Sequence, residues 1–152
     1  MLGSILNYSK KCILGVNLSN TSRSLYNGIL YTKNHETIQF INDGEVKIGI
    51  SDYAKKALND IVFADMCDID IEYEKNDIVT TLESIKAVGE LQTPFDGTIT
   101  EHNNDLVEDI EKINKLSEEL AWLVKFKLQD NIELKDYELL EQKIYFEYIK
   151  TI

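Results

Sequence analysis

The segment Glu83-Ser84-Ile85-Lys86-Ala87 constrains this chain most, because a strand-forming run stands on each side of it. Upstream, Asp77-Ile78-Val79-Thr80-Thr81-Leu82 is rich in β-branched and apolar residues, which suits a pleated, half-buried strand. Downstream comes Gly89-Glu90-Leu91-Gln92-Thr93, and then Pro94-Phe95-Asp96-Gly97, a turn signal built on proline's fixed φ and glycine's freedom. Two strands with so short a link predict a hairpin, with Lys86 at its tip and its amine in water. That position suits a lysine meant for modification, since a modifying enzyme must wrap it and the amide product must swing freely. Spacing alone would equally describe an ordinary solvated lysine, so the surrounding sequence has to decide.

Four stretches occur in order and at matching separations. They are Val46-Lys47-Ile48-Gly49-Ile50-Ser51-Asp52-Tyr53-Ala54, then Leu58-Asn59-Asp60-Ile61-Val62-Phe63, then Glu83 to Ala87, then Pro94 to Gly97. Together they resemble the glycine cleavage system H proteins, the lipoyl-bearing carriers of that complex, from about Tyr31 to Tyr148. The signature around Lys86 is the most specific part of the likeness, with Glu83, Ser84 and Ala87 as its supporting residues. The resemblance implies lipoic acid in amide linkage on Lys86. It also implies a mainly β, lipoyl/biotinyl-type barrel-sandwich hybrid with short helices and a C-terminal α-helix.

At 152 residues the chain is long enough for one domain with a real core and short for two. The formal charge of −11 argues against nucleic acid, whose phosphates are met by basic patches. It favours partners with basic docking surfaces, or serves solubility alone. No apolar run approaches the roughly 18 to 20 residues of a membrane span. The charge is uneven: residues 1–35 hold Lys10, Lys11, Arg23 and Lys33 and no acid, so all 27 carboxylates lie from Glu36 onwards. A basic, serine-bearing, acid-free leader over residues 1–28 is expected to be a mitochondrial transit peptide, and residues 29–152 the carrier domain in the mitochondrial matrix. A disordered basic tail would have the same composition. Only Cys12 and Cys67 are present, which gives neither a disulfide framework nor a metal cluster. A reactive sulfur pair, if there is one, must come with a cofactor.

Along the chain, Thr37-Ile38-Gln39-Phe40-Ile41 alternates as a strand, Asn42-Asp43-Gly44 turns it, and Glu45 to Ile50 returns. Where the family usually has tryptophan after its His-Glu pair, this chain has Thr37. Ser51 to Leu58 predicts a short helix capped by Ser51, with Tyr53, Ala54, Ala57 and Leu58 as its apolar side. Ile61-Val62-Phe63-Ala64 predicts a buried strand. Asn59 and Cys67 stand where the family usually has glycine and proline. Asn-Asp-apolar-Val recurs at Asn59, Asn76 and Asn104, each copy predicting a turn before a buried element. Leu106, Ile110, Ile113, Leu116 and Leu120 are spaced as one amphipathic helix. Trp122 to Phe126 follows as a strand, and Leu134, Tyr137, Leu140, Ile144 and Tyr148 predict a C-terminal helix.

No catalytic constellation is evident, and His35 and His102 read as surface or hydrogen-bonded structural residues. The chemistry that the resemblance implies belongs to the cofactor. The family's oxidised lipoyl group accepts an aminomethyl group from a pyridoxal-phosphate glycine decarboxylase. The group is then delivered to tetrahydrofolate on an aminomethyltransferase, and dihydrolipoyl dehydrogenase reoxidises the dithiol. The attachment itself needs a lipoate ligase or lipoyl transferase. In the family a cleft with acidic residues shields the aminomethyl amine; the matching positions here are Glu36 and Glu90, with Asn34 as a polar neighbour. Solvated surface acids would look the same in sequence. A biotinyl domain usually sets its lysine between methionines, and a dehydrogenase lipoyl domain usually has aspartate before it; Ile85-Lys86-Ala87 fits neither. The leading expectation is therefore an aminomethyl carrier that is not itself an enzyme. A lipoate-relay protein and an unlipoylated acidic adaptor are the alternatives.

Overall fold

The computed structural model describes residues 27–130 and 137–152. The expected leader falls almost wholly outside them, as does Leu134 of the expected C-terminal helix. The described chain is mainly β. In order, its elements are β1 (Leu30–Tyr31), β2 (Glu36–Asn42), β3 (Glu45–Ile50), α1 (Asp52–Leu58), β4 (Ile61–Met66), β5 (Glu72–Tyr73), β6 (Ile78–Ser84), β7 (Val88–Gln92), β8 (Gly97–His102), α2 (Asn104–Glu108), a 3-10 turn (Ile110–Asn114), β9 (Trp122–Leu128), β10 (Leu140–Glu141) and α3 (Gln142–Tyr148). Seven strands form one sheet in the order β10-β1-β2-β3-β9-β8-β5, and three form a second in the order β4-β6-β7. All the strand pairings are antiparallel.

The two sheets share a main core, and a smaller cluster of Tyr31, Leu140 and Tyr145 lies beside it. Ile38, Val46, Ile48, Val124 and Phe126 of the large sheet pack in one buried cluster with Ile61, Val79, Leu82 and Leu91 of the small one. Strand alternation is what makes this possible, because every second side chain points to the same face. Helix α1 closes one end. Ser51 caps it, its Oγ accepting from the Ala54 amide at 3.2 Å. At Gly89 an added Cβ would sit 2.9 Å from the Leu58 side chain, so the absence of a side chain lets β7 lie directly on α1.

Several expectations need correction. On α1 it is Lys55 that is buried and Ala57 that is exposed. Lys55 extends its stem into the fold, and its Nζ donates to the Leu116 carbonyl at 2.5 Å and pairs with Asp52 at 2.8 Å. The strand at Ile61 is buried only at its first residue; Val62 and Phe63 are exposed, because β4 is the edge of the small sheet and a bulge lies between Ile61 and Phe63. The single amphipathic helix over 106–120 is broken at Asp109, which is extended (φ −151°, ψ 88°). Leu106 and Ile113 both reach the core, but from two short pieces, while Leu120 is exposed. Asn114 holds the second piece to β4, accepting from the Ile61 amide at 3.0 Å and donating to the Ile61 carbonyl at 2.9 Å. The third Asn-Asp copy lies in the first turn of α2 itself, and Leu106 after it is buried. The C-terminal helix begins only at Gln142, since Leu140 pairs with Tyr31 in β10.

Candidate functional site

The hairpin β6–β7 carries Lys86 at its tip as the sequence predicts. Glu83 pairs with Val88 at the last register position, leaving Ile85 and Lys86 as the turn. None of the tip residues has a positive φ, and glycine is absent from it, so the turn is not held by backbone freedom. Ser84 holds it instead. The Ser84 hydroxyl donates to the Ala87 carbonyl at 3.1 Å and accepts from the amides of Lys86 and Ala87 at 3.3 and 3.0 Å. The Ser84 amide also donates to the Ala87 carbonyl at 2.9 Å. Ala87 turns inward and packs on the core, whereas Ile85 and Lys86 are exposed. This geometry fixes the tip's backbone and leaves the Lys86 side chain in water. An exposed amine on an anchored two-residue turn fits covalent attachment of an acyl group, and the residues the motif supplies each have a place: Ser84 and Ala87 shape the turn, and Glu83 is exposed beside it.

A cleft of about 270 Å³ lies at the far end of β7. Four separate parts of the chain line it. The β1–β2 turn brings Thr32, Lys33, Asn34 and Glu36; the turn before β6 brings Lys75 and Asn76; the end of β7 brings Gln92, Thr93 and Pro94; and Tyr137, Glu138 and Leu139 form the remaining wall. Glu36 is 2% exposed. One of its carboxylate oxygens accepts from the Gln92 amide at 3.2 Å, and the other takes the Thr32 hydroxyl's hydrogen bond. Burial pushes the Glu36 carboxyl above the ordinary glutamate range, and the hydrogen bonds from Thr32 and the backbone oppose that rise only in part. Asn34 reaches Gln92, donating to its side-chain oxygen at 3.4 Å.

The β1–β2 turn owes its shape to His35, whose φ of 73° is sparsely populated for a residue with a side chain. Its ring is held from several sides. Nδ1 lies 2.9 Å from the Tyr145 hydroxyl, and the ring packs on Tyr53 and Tyr148. Burial lowers the His35 pKa. Tyr145 in turn shares a 2.8 Å hydrogen bond with Ser51, and burial raises its pKa to about 12. Helix α3 thereby braces the turn that presents Glu36. His102 is likewise a structural partner, its Nε2 lying 2.8 Å from the Cys67 carbonyl oxygen.

The structure thus brings Glu36 and Asn34 together in the cleft but leaves Glu90 outside its lining. Glu90 pairs with Thr81 and shares the outer face of β7 with Gln92, two residues nearer the tip. Sequence reading missed Gln92, Thr32 and Lys75. Gln92 was within reach, being the next residue of the same strand face after Glu90. The wall at 137–139 had no local signal. It is secured by a Lys33–Glu138 ion pair at 2.8 Å and by Lys75 Nζ, 5.2 Å from the Tyr137 ring centre. The Lys33 ammonium holds the Glu138 carboxyl below its ordinary range. Among the described residues no group of three or more His, Cys, Asp or Glu could hold a metal, and no helix is long and apolar enough to cross a membrane.

Comparison with known proteins adds three findings. Residues 29–152 match the family model described as glycine cleavage H-protein. A probable glycine cleavage system H protein of Pyrococcus furiosus is 41% identical over 125 residues, covering 82% of this chain and 92% of that protein. Glycine cleavage system H proteins of Halothermothrix orenii and Vibrio cholerae are 37% and 38% identical, over 82% and 74% of this chain. The crystal structure of a glycine cleavage system H protein from Mycobacterium marinum superposes with a TM-score of 0.67 at 27% identity, covering 84% of this chain and 98% of that one.

Proposed function

The chain belongs to the glycine cleavage H-protein family, and from that premise we propose that it is a lipoyl carrier, modified on Lys86, that ferries an aminomethyl group between enzymes. The observation that carries this reading is the tip itself: one exposed lysine on a turn locked by the hydroxyl of Ser84. When bound, the lipoyl group would supply a disulfide that is reduced as it takes up the aminomethyl group, and the dithiol left after delivery would give up the two electrons. The chain's own residues do the rest. Lys86 provides the anchoring nitrogen, and Ser84 keeps the anchor from folding back on the sheet. Glu36 offers a buried carboxylate, oriented by Thr32 and the Gln92 amide, to a guest ammonium. A cation arriving there favours the ionised carboxylate and so opposes the effect of burial. Asn34 and Gln92 add polar contacts beside it, and Glu90 offers a second carboxylate on the way from tip to cleft.

The partners proposed are a pyridoxal-phosphate glycine decarboxylase, an aminomethyltransferase, dihydrolipoyl dehydrogenase and a lipoate ligase or lipoyl transferase. The chain performs no turnover of its own in this scheme. The mitochondrial matrix address rests on the leader's composition; the relatives named above are archaeal and bacterial and lend it no support. N-terminal sequencing from the native cell tests it.

The carrier reading is tested by incubating the protein with a lipoate ligase, lipoate and MgATP, then locating the added mass by peptide mass spectrometry. Lipoyl mass on the peptide containing Lys86, followed by aminomethyl loading from glycine and purified decarboxylase, is the expected result. Modification elsewhere, or none, overturns it.

A further inference from the structure

The outer face of the small sheet is apolar where it borders the tip. Phe63, Glu83 and Val88 are directly paired across β4, β6 and β7, so they form one row on one face. The neighbouring row, Ala64, Leu82 and Gly89, faces the core, with Leu82 1% exposed. Phe63 is therefore 53% exposed, Val88 63%, and Ile85 at the turn 82%. Isolated exposed apolar residues are ordinary, and a solvated sheet face is normally polar. Three of them gathered around a single lysine form a patch. The row beyond is Asp65, Thr81 and Glu90. Together the two rows hold three carboxylates and no cation.

We propose that Phe63, Val88 and Ile85, with Glu83 among them, are the docking surface for the enzyme that acylates Lys86, a lipoate ligase or transferase whose active-site mouth sets apolar groups beside basic ones. This rests on the carrier reading above and adds the partner's footprint to it. Charge complementarity sets the partner's sign, since Glu83 stands between Phe63 and Val88 in the row and Asp65 and Glu90 border it. Reach sets which partner it is. In the acylation step the neutral Lys86 nitrogen attacks the carbonyl of lipoyl adenylate. The amide C–N bond forms, the C–O bond to AMP breaks with its electrons on AMP, and the nitrogen's surplus proton passes to solvent. Nζ is only one lysine side chain from the backbone, so an enzyme working there must lie against the residues beside the tip. An enzyme that meets the far end of an attached arm needs no such approach.

The test compares parent protein with Phe63→Thr/Val88→Thr, which puts a β-branched, strand-favouring residue at both positions. Lipoylation is followed by intact mass with purified ligase, lipoate and MgATP. Samples lipoylated to completion then take up aminomethyl groups from glycine and decarboxylase. We expect the variant's kcat/KM for lipoylation to fall about tenfold, largely through KM, with aminomethyl uptake at the parent rate. Phe63→Leu/Val88→Ile should restore lipoylation. Equal lipoylation rates in parent and Thr variant overturn the docking surface alone. An equal loss in both steps overturns its assignment to the acylating enzyme. A parent that gains no lipoyl mass on Lys86 overturns the carrier reading instead.

Discussion

Lys86 and Glu36 do opposite things with their surroundings. Lys86 stands in water and contributes little to stability, so Lys86→Arg should change unfolding free energy by no more than roughly 0.5 kcal/mol. The guanidinium keeps the charge but is not deprotonated, so it cannot be acylated. Intact mass should show no lipoyl adduct while the melting temperature stays at the parent's. Glu36 is nearly fully buried, and its carboxyl is raised above the ordinary range chiefly by that burial. A raised folded pKa means that the folded chain holds a proton at Glu36 more tightly than the unfolded chain does. This contribution to stability is complete below the ordinary glutamate range and is lost as pH rises through the raised value. Glu36→Gln should flatten that decline, leaving the variant at least as stable as the parent at neutral pH, as read from melting temperature against pH. The same change should shorten the lifetime of the aminomethyl-loaded form. Glu90→Gln should shorten it less, since Glu90 lies outside the cleft lining. A site residue that weakens the fold at working pH is the expected signature of function held at some cost to stability.

Among the elements, the β6–β7 hairpin depends most on one side chain. Ser84→Ala removes a hydroxyl engaged with one carbonyl and two amides of the turn. The fold should lose about 1 kcal/mol, and lipoylation should slow several-fold as the tip samples other shapes; denaturant unfolding and the mass-gain assay report the two effects separately. The hairpin was legible in the sequence because its signals are local: β-branched runs, a short link, and a Pro-Phe-Asp-Gly turn. The break at Asp109 was not. The spacing of Leu106, Ile110, Ile113, Leu116 and Leu120 fits a helix whether continuous or broken, and the second piece is tied through Asn114 to Ile61, a contact 53 residues away along the chain. The same holds for β4, where apolar Val62 and Phe63 read as buried though they belong to an edge strand. Glu36 and Asn34 came from the family likeness, but the cleft around them is assembled from four distant segments. No period or spacing in the sequence joins Tyr137 to Lys75.

At the scale of the whole molecule the dominant fact is charge. All 27 carboxylates follow residue 35, against twelve cations over the same stretch. Carboxylates also edge the face that bears Lys86, with Glu83, Asp65 and Glu90 in its rows. A carrier must meet several enzymes in turn and leave each one, so tight, slowly dissociating complexes would work against it. Long-range attraction suits that requirement: it raises the encounter rate without adding close contacts that slow departure. The association rate with glycine decarboxylase should therefore fall steeply as ionic strength rises from about 0.01 M to 0.15 M, where the screening length shortens from roughly 30 Å to roughly 8 Å. The dissociation rate should change little over the same range. Stopped-flow measurement with the lipoylated protein separates the two rates. An association rate indifferent to salt would show that the acidic surface serves solubility alone, and recognition by the decarboxylase would then fall to the arm.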